Sequence, residues 1–322
     1  MKKGYIYIII TAILFSSMEI ALKVVATDFN PVQLTFIRFF IGALILWPIA
    51  RRKLQTRNMH LKAGDIKFFM LTGFICVVVS MTFYQLSILY CQASTVAVLF
   101  SCNPVFVVPL AFFMLKEKVT KLNILSIIVS IGGMVFILNP FQLESGDTRL
   151  LGILFIIMAA ITFAFYTVIG KSQSEQYGGL VATAYSFLFG SLEMLILILL
   201  SHVNIVATIF QASGLDIFAQ IPLLKGISWQ TLPLIIYISV FVTGLGYTSY
   251  FLAMENTSAV TASVVFFIKP ALAPILALIL IHESIGFNTL GGIIFILLGS
   301  SLTFIANSRN AKHQTQSLKK GA

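Results

Sequence analysis

The sequence predicts an all-α polytopic membrane protein in which ten transmembrane helices form two inverted five-helix repeats. Composition is the first observation behind this: 58% of the 322 residues are hydrophobic and only 10% are charged, more apolar surface than a chain in water could cover. The second is its spacing, in long runs parted by short charged loops, each run near the ~20 residues a helix needs to cross the bilayer core. These runs lack the alternation of barrel strands, and helices are the other way to satisfy a backbone in lipid. The third is an internal duplication. Residues 84–133, shifted by 166 positions, overlay 250–299 without a gap and match at 13 of 50 pairs. A shared proline (Pro104 and Pro270), followed 13 residues later by a shared glutamate (Glu117 and Glu283), is harder to obtain by chance than a matched Leu or Ile.

Lys2 and Lys3 precede the first apolar run, 5–24. A secretory signal would be shorter and end in a small-residue cleavage site; this run is long and carries Glu19 and Lys23, so it reads as a retained helix 1. Residues 28–31 turn into helix 2, 32–50, and a basic loop follows with Arg51, Arg52, Lys53, Arg57, Lys62 and Lys67. Helix 3 is 68–90 and helix 4 is 94–115; Lys116, Glu117, Lys118 and Lys121 form the next loop, before helix 5 at 122–139. Asn139-Pro140 and an acidic loop with Glu144 and Asp147 separate the halves. Helix 6 is 150–170 and helix 7 is 180–201. The connection 202–230, with Asn204, Gln211, Asp216, Gln220, Pro222 and Lys225, is too polar for an eleventh span and is expected to hold a short interfacial helix. Helices 8 (231–252), 9 (258–281) and 10 (286–306) complete the bundle, and the basic tail 307–322 is expected to be disordered. The first repeat thus occupies 1–140 and the second 150–306.

With the amino terminus in the cytoplasm, 16 of the 21 basic residues fall on that side, Arg149 and Lys225 fall outside, and Lys23, Arg38 and Lys269 lie within spans. Ten spans return the other end to the cytoplasm, so the expectation is a multi-pass protein of the cell membrane with both termini cytoplasmic. The repeat extends to the start of each half: 4–44 overlays 152–192 at a shift of 148, matching Gly4/Gly152, Lys23/Lys171, Thr35/Thr183, Phe39/Phe187 and Gly42/Gly190 among others. The shift grows by 18 because the second half carries the long loop. Five is odd, so the second copy enters the membrane upside down, an arrangement typical of alternating-access transporters. The net charge of +10 follows the loops rather than one folded basic face, which argues for the lipid bilayer as partner and against nucleic acid.

Polar groups inside spans carry the functional reading, because a charge at mid-membrane costs about 2.5–3.5 kcal/mol by insertion scales and needs a partner or water. Lys269 stands next to Pro270, and its repeat counterpart Asn103 stands next to Pro104. A proline frees a carbonyl one turn back, which is tolerated where a helix borders a cavity. Two related Asn/Lys–Pro pairs would frame one central site, with an ammonium suited to the anionic group of a small-molecule substrate. The alternative is a structural lysine paired with a carboxylate or a helix end. Glu19 and Arg38 lie at similar depth and are expected to pair, as a gate, a coupling element or a packing bridge; Glu193 in helix 7 competes for Arg38. Tyr84, Tyr166 and Tyr250, with Tyr247, offer apolar bodies and polar tips for a ligand cavity, against the plainer reading of packing. Glu117 and Glu283 are expected to cap helices 5 and 10 across their tight turns, the alternative being a role in gating. Gly132-Gly133 and Gly291-Gly292 predict close helix packing, within the chain or between two copies of a homodimer.

The ordered set Lys23, Arg38-Phe39-Phe40 with Gly42-Ala43, Ala93-Ser94-Thr95 leading to Pro104, and Glu117, then Ala160 to Tyr166, Ala259-Val260-Thr261, Pro270 and Glu283, resembles the EamA type of the drug/metabolite transporter (DMT) superfamily over nearly the whole chain. The resemblance implies ten helices and a central cavity lined mainly by helices 1, 3, 4, 6, 8 and 9. It also implies transport, often export, of amino acids and related metabolites. One departure stands out: helix 7 has Ser186 where helix 2 has Arg38, so any role of Arg38 is asymmetric.

No GxxxxGK[ST] loop occurs, and Cys76, Cys91 and Cys102 show no metal-ligand spacing, so neither a cofactor nor a metal is indicated. An intramembrane lipid-modifying enzyme would need clustered His, Asp or Ser at one interface, whereas His60, His202, His282 and His313 are scattered. A channel would need a continuous polar ring rather than a few singular charges.

Overall fold

The computed structural model of the chain describes residues 2–116, 119–139, 148–256, 262 and 264–320. Among the described residues ten long helices follow in order: α1 (Lys2–Val25), α2 (Pro31–Thr56), α3 (Ala63–Tyr90), α4 (Ala93–Leu115), α5 (Lys121–Leu138), α6 (Thr148–Ile169), α7 (Gly179–Leu200), α8 (Leu232–Asn256), α9 (Val265–Ile281) and α10 (Phe287–Lys320), with short helices at Lys171–Tyr177 and Asn204–Ala212. Among the described residues nine helices are long and apolar enough to cross a membrane, and a shorter apolar stretch, Ile268–Ile281, makes the tenth. Glu117, the loop with Glu144 and Asp147, and Ala259-Val260-Thr261 lie outside the described residues.

Local chemistry explains the helix ends. Asn30 caps α2 by accepting from the Val32 amide at 2.9 Å, and Pro31, lacking an N–H, occupies the first helical position. α3 starts at Ala63, earlier than its apolar pattern alone suggests, because the Asp65 carboxylate takes the Lys62 amide at 2.8 Å. α4 is broken at 101–103, where the Asn103 amide bonds Phe100 O at 3.1 Å; the proline at 104 cannot donate and its ring crowds the preceding turn. The tail differs from expectation: α10 runs unbroken to Lys320. No Gly or Pro interrupts 307–320, so nothing in that stretch terminates the helix. Within 202–230 the chain forms a helix, Asn204–Ala212, and a single 3-10 turn, Asp216–Phe218.

The helix pairings obey the internal symmetry. α2 packs on its counterpart α7, and α5 on its counterpart α10. The pair α1–α9 is mirrored by α6–α4, α1–α8 by α6–α3, and α2–α8 by α7–α3. Each of these contacts joins one half to the other, so the two repeats interlock along a seam instead of folding side by side. The symmetry reaches single backbone angles. Lys116 (φ 57) and His282 (φ 53), related by the 166-residue shift, both end their helices in the left-handed conformation and bond Ala111 O and Ala277 O, themselves a matched pair.

Two features had no expectation behind them. α3 and α8 each contain a widened π-helical stretch, Phe74–Ser80 and Tyr237–Gly246, at overlapping positions of the two repeats. Such turns rotate the residues that follow relative to those before them and recur at functional sites. The α3–α7 crossing brings backbones together: a Cβ on Gly73 would meet Gly190 N at 2.6 Å, and one on Gly190 would meet Gly73 O at 2.5 Å. The glycine pairs in α5 and α10 pack within the chain. A Cβ on Gly133 would sit 3.1 Å from Gly292 O, whereas Gly132 has open space.

Candidate functional site

At the seam, α1 of the first half presents Glu19 to α9 of the second. The Lys269 ammonium lies 2.6 Å from Glu19 Oε1. The Tyr84 hydroxyl, from α3, donates to the same oxygen. Glu19 (0% exposed), Tyr84 (0%), Arg38 (1%) and Lys269 (4%) are all withdrawn from the surface, so this polar cluster is packed closed. Lys269 stands in the second turn of α9, just before Pro270, and its ammonium also lies 5.6 Å from the Phe100 ring centre. Phe100 in turn meets Tyr84 edge-on at 4.9 Å. One carboxylate oxygen therefore takes both a cation and a phenol, while Glu19 Oε2 is buried without a hydrogen-bond partner.

Arg38 departs from expectation. It pairs with neither Glu19 nor Glu193; among the described residues no carboxylate lies within ion-pair distance of it. Its terminal nitrogens instead face sulfur, Nη1 at 3.6 Å from Met18 Sδ and Nη2 at 3.4 Å from Met81 Sδ, and Nε has no partner. The guanidinium lies 4.5 Å from the Phe39 ring centre and 5.7 Å from that of Tyr84. The physical reason is angular. Equal depth in adjacent helices does not aim two side chains at each other, and α9 delivers a closer cation to Glu19. Glu193 sits apart on α7, with one oxygen unpartnered.

The remaining candidates divide by place. Asn103, at the break in α4, donates to Ala160 O of α6 at 2.8 Å. It thereby crosses the seam at α4–α6, the symmetry mate of the α1–α9 crossing made by Lys269. Pro104 opens the second part of α4, and Pro270 lies inside α9. Tyr250 packs among Phe15, Phe251 and Phe266, and the Tyr166 hydroxyl lies 3.5 Å from Thr183 Oγ1; neither touches the ion pair. Met18, Met81 and Phe100 complete the site without having been singled out, although Phe100 is one of the matched repeat positions.

Glu283 is a second correction. Instead of capping the helix that follows it, it accepts the Ser94 amide at 3.2 Å and so caps α4 in the other half. Beside it, Lys23 donates to Ile88 O (2.6 Å) and Cys91 O (2.8 Å), closing the carboxyl end of α3. The α3–α4 turn is thus clamped by one charge of each sign. A cleft of about 390 Å³ lies alongside, lined by Tyr90, Gln92, Thr95, Asn288 and Thr289, and does not reach Glu19. Burial holds the Glu283 carboxyl above its ordinary range, opposed in part by the Ser94 and Ala93 amides and by Lys23. A raised carboxyl favours the folded state while protonated, so this contribution is full below the ordinary range and fades as pH rises through the lifted value. Glu283→Gln, which keeps an acceptor for Ser94, is expected to flatten that part of the pH–stability profile, read as unfolding midpoints across the acid range.

The EamA-like transporter family model matches residues 2–139 and 150–305, one copy in each half. The chain belongs to the EamA-like transporter family. This EamA-like protein is 40% identical over 314 residues to an uncharacterized transporter of Clostridium kluyveri, covering 96% of this chain and 95% of that one. It is 23% identical to the uncharacterized transporter YoaV of Bacillus subtilis, across 96% and 99% of the two chains. An uncharacterized transporter of Archaeoglobus fulgidus is also 23% identical, over 92% of this chain and 97% of the relative. A solved crystal structure, 13% identical, superposes with a TM-score of 0.62 over 96% of this chain and 98% of the other, which establishes likeness of fold. Membership places this EamA-like chain among the DMT transporters and makes it a multi-pass membrane protein.

Proposed function

We propose that this EamA-like transporter is a secondary carrier that exports a small metabolite, of the amino-acid kind or related to it, by alternating access around the Glu19–Lys269 pair. One observation carries the reading: the buried ion pair joins α1 of the first repeat to α9 of the inverted second repeat. Rocking one half on the other must shear that contact. A buried carboxylate or ammonium left without its partner is strongly disfavoured, so the pair holds the halves together until a substrate group replaces one side of it. Tyr84 keeps Glu19 oriented throughout, because its hydroxyl bonds the carboxylate from a different helix. Following the basic loops, the protein sits in the cell membrane with both ends in the cytoplasm.

Metabolite profiles inside and outside cells that express the wild type or Lys269→Ala identify the compound. Purified protein in liposomes then tests the mechanism. Saturable uptake with counterflow is expected for the wild type, and Glu19→Gln is expected to slow it at least tenfold with the protein still inserted. Flux that does not saturate would make the protein a channel, and identical secreted profiles would remove the central site.

A further inference from the structure

We propose that Arg38 is a second anchor in the same site, and that it takes the carboxylate of a compact organic acid group on the substrate. The inference deepens the carrier reading and rests on it for purpose, although the binding it predicts can be read without flux.

Charge is the first argument. Two cations, Arg38 and Lys269, and one anion, Glu19, meet around Tyr84 at the interior of the bundle. An arginine cannot shed its proton, so among the described residues the closed site holds one positive charge without a carboxylate partner. Lys269 is matched by Glu19. Arg38 is not: among the described residues no carboxylate lies within ion-pair distance of it, and Tyr84, which bonds Glu19, has its ring centre 5.7 Å from the guanidinium. Interior charges of this kind are otherwise paired or solvated, and a guanidinium at 1% exposure facing no carboxylate among the described residues has donors suited to an anion.

The donor geometry selects the anion. The guanidinium carbon lies over the Phe39 ring, 4.5 Å from its centre, a contact that supplies no acceptor oxygen for the N–H groups. The Nε–H is unpartnered, and the two Nη groups hold only thioether sulfurs, weak acceptors on flexible side chains that an oxygen can displace. Nε–H and one Nη–H lie side by side in the planar fork and match two carboxylate oxygens. A spherical halide engages that fork less well. Position adds a third argument. Met18 is the neighbour of Glu19 on α1, and Met81 follows the π-helical stretch of α3 directly. Filling Arg38 therefore moves two side chains on the elements that hold Glu19 and Tyr84.

The test uses the purified, detergent-solubilised full chain. Sodium acetate replaces sodium chloride at fixed ionic strength while the thermal unfolding midpoint is followed, with acetamide as the neutral control. The wild-type midpoint is expected to rise and saturate with acetate and to ignore acetamide. In Arg38→Met the rise should vanish, and the midpoint in chloride should equal or exceed that of the wild type, because an apolar chain removes an unpaired buried charge. Arg38→Lys, which keeps the charge and loses the fork, is expected to need at least tenfold more acetate. A wild-type midpoint indifferent to the exchange would overturn the assignment. So would an Arg38→Met protein that is destabilised while still responding to acetate. Absence of carrier flux alongside an intact, Arg38-dependent acetate response would count against the transport reading alone.

Discussion

Lys269→Met is expected to destabilise the protein by about 3–5 kcal/mol, the cost of leaving a buried carboxylate without its cation. The loss should be largely recovered in the double variant Glu19→Gln/Lys269→Met, where a neutral amide faces a thioether and Tyr84 keeps an acceptor at the Glu19 position. Unfolding in detergent, followed for the wild type, both single variants and the double variant, measures the coupling directly. A double variant no more stable than Lys269→Met would mean that the pair contributes nothing beyond each residue's own packing. Flux should separate from stability in the same set: the double variant refolds the seam but has no charge for a substrate to exchange with, so its transport stays low. A structural bridge would behave in the opposite way, with activity returning together with stability.

Gly73→Ala is expected to have the second large effect. Its Cβ would press on Gly190 N at 2.6 Å and on the carbonyl of Ser186, both backbone atoms that cannot rotate away. Overpacking a tight interior typically costs about 1–3 kcal/mol, and here relief requires moving a whole helix. Gly190→Ala presses back on Gly73 O and should behave alike. Gly132→Ala is the matched control: it too adds one methyl to a membrane helix, with nothing within 4 Å, and should be neutral or slightly stabilising. Unfolding midpoints of the three variants decide the matter, and equal values would refute the backbone crossing.

Much of the architecture is legible in the sequence. Hydrophobic run length gave the spans, because lipid leaves a backbone few ways to satisfy itself. The duplication gave the inverted pairing, since a copied unit of five spans must enter reversed. Several site residues were legible for a related reason: Glu19, Arg38 and Lys269 are charges where charge is expensive, and Tyr84 is a matched position of the repeat. Their partnerships were not. Depth follows from counting residues at about 1.5 Å each, but azimuth depends on how each helix is rotated against its neighbours. Glu19 and Arg38, level in depth, do not meet, and Glu19 turns to Lys269, which is 250 residues away. Glu283 likewise passes over the helix next to it and caps one in the other half.

Class, span number, inversion and the list of unusual charges thus belong to the chain itself, because each follows from local cost: apolar runs must lie in lipid, and an odd unit must flip. The tertiary structure alone decided which charge answers which, where π-helical turns widen α3 and α8, and that Arg38 is left facing sulfur. Those outcomes depend on the packing of helices from opposite halves, a competition among neighbours that no single stretch of sequence contains.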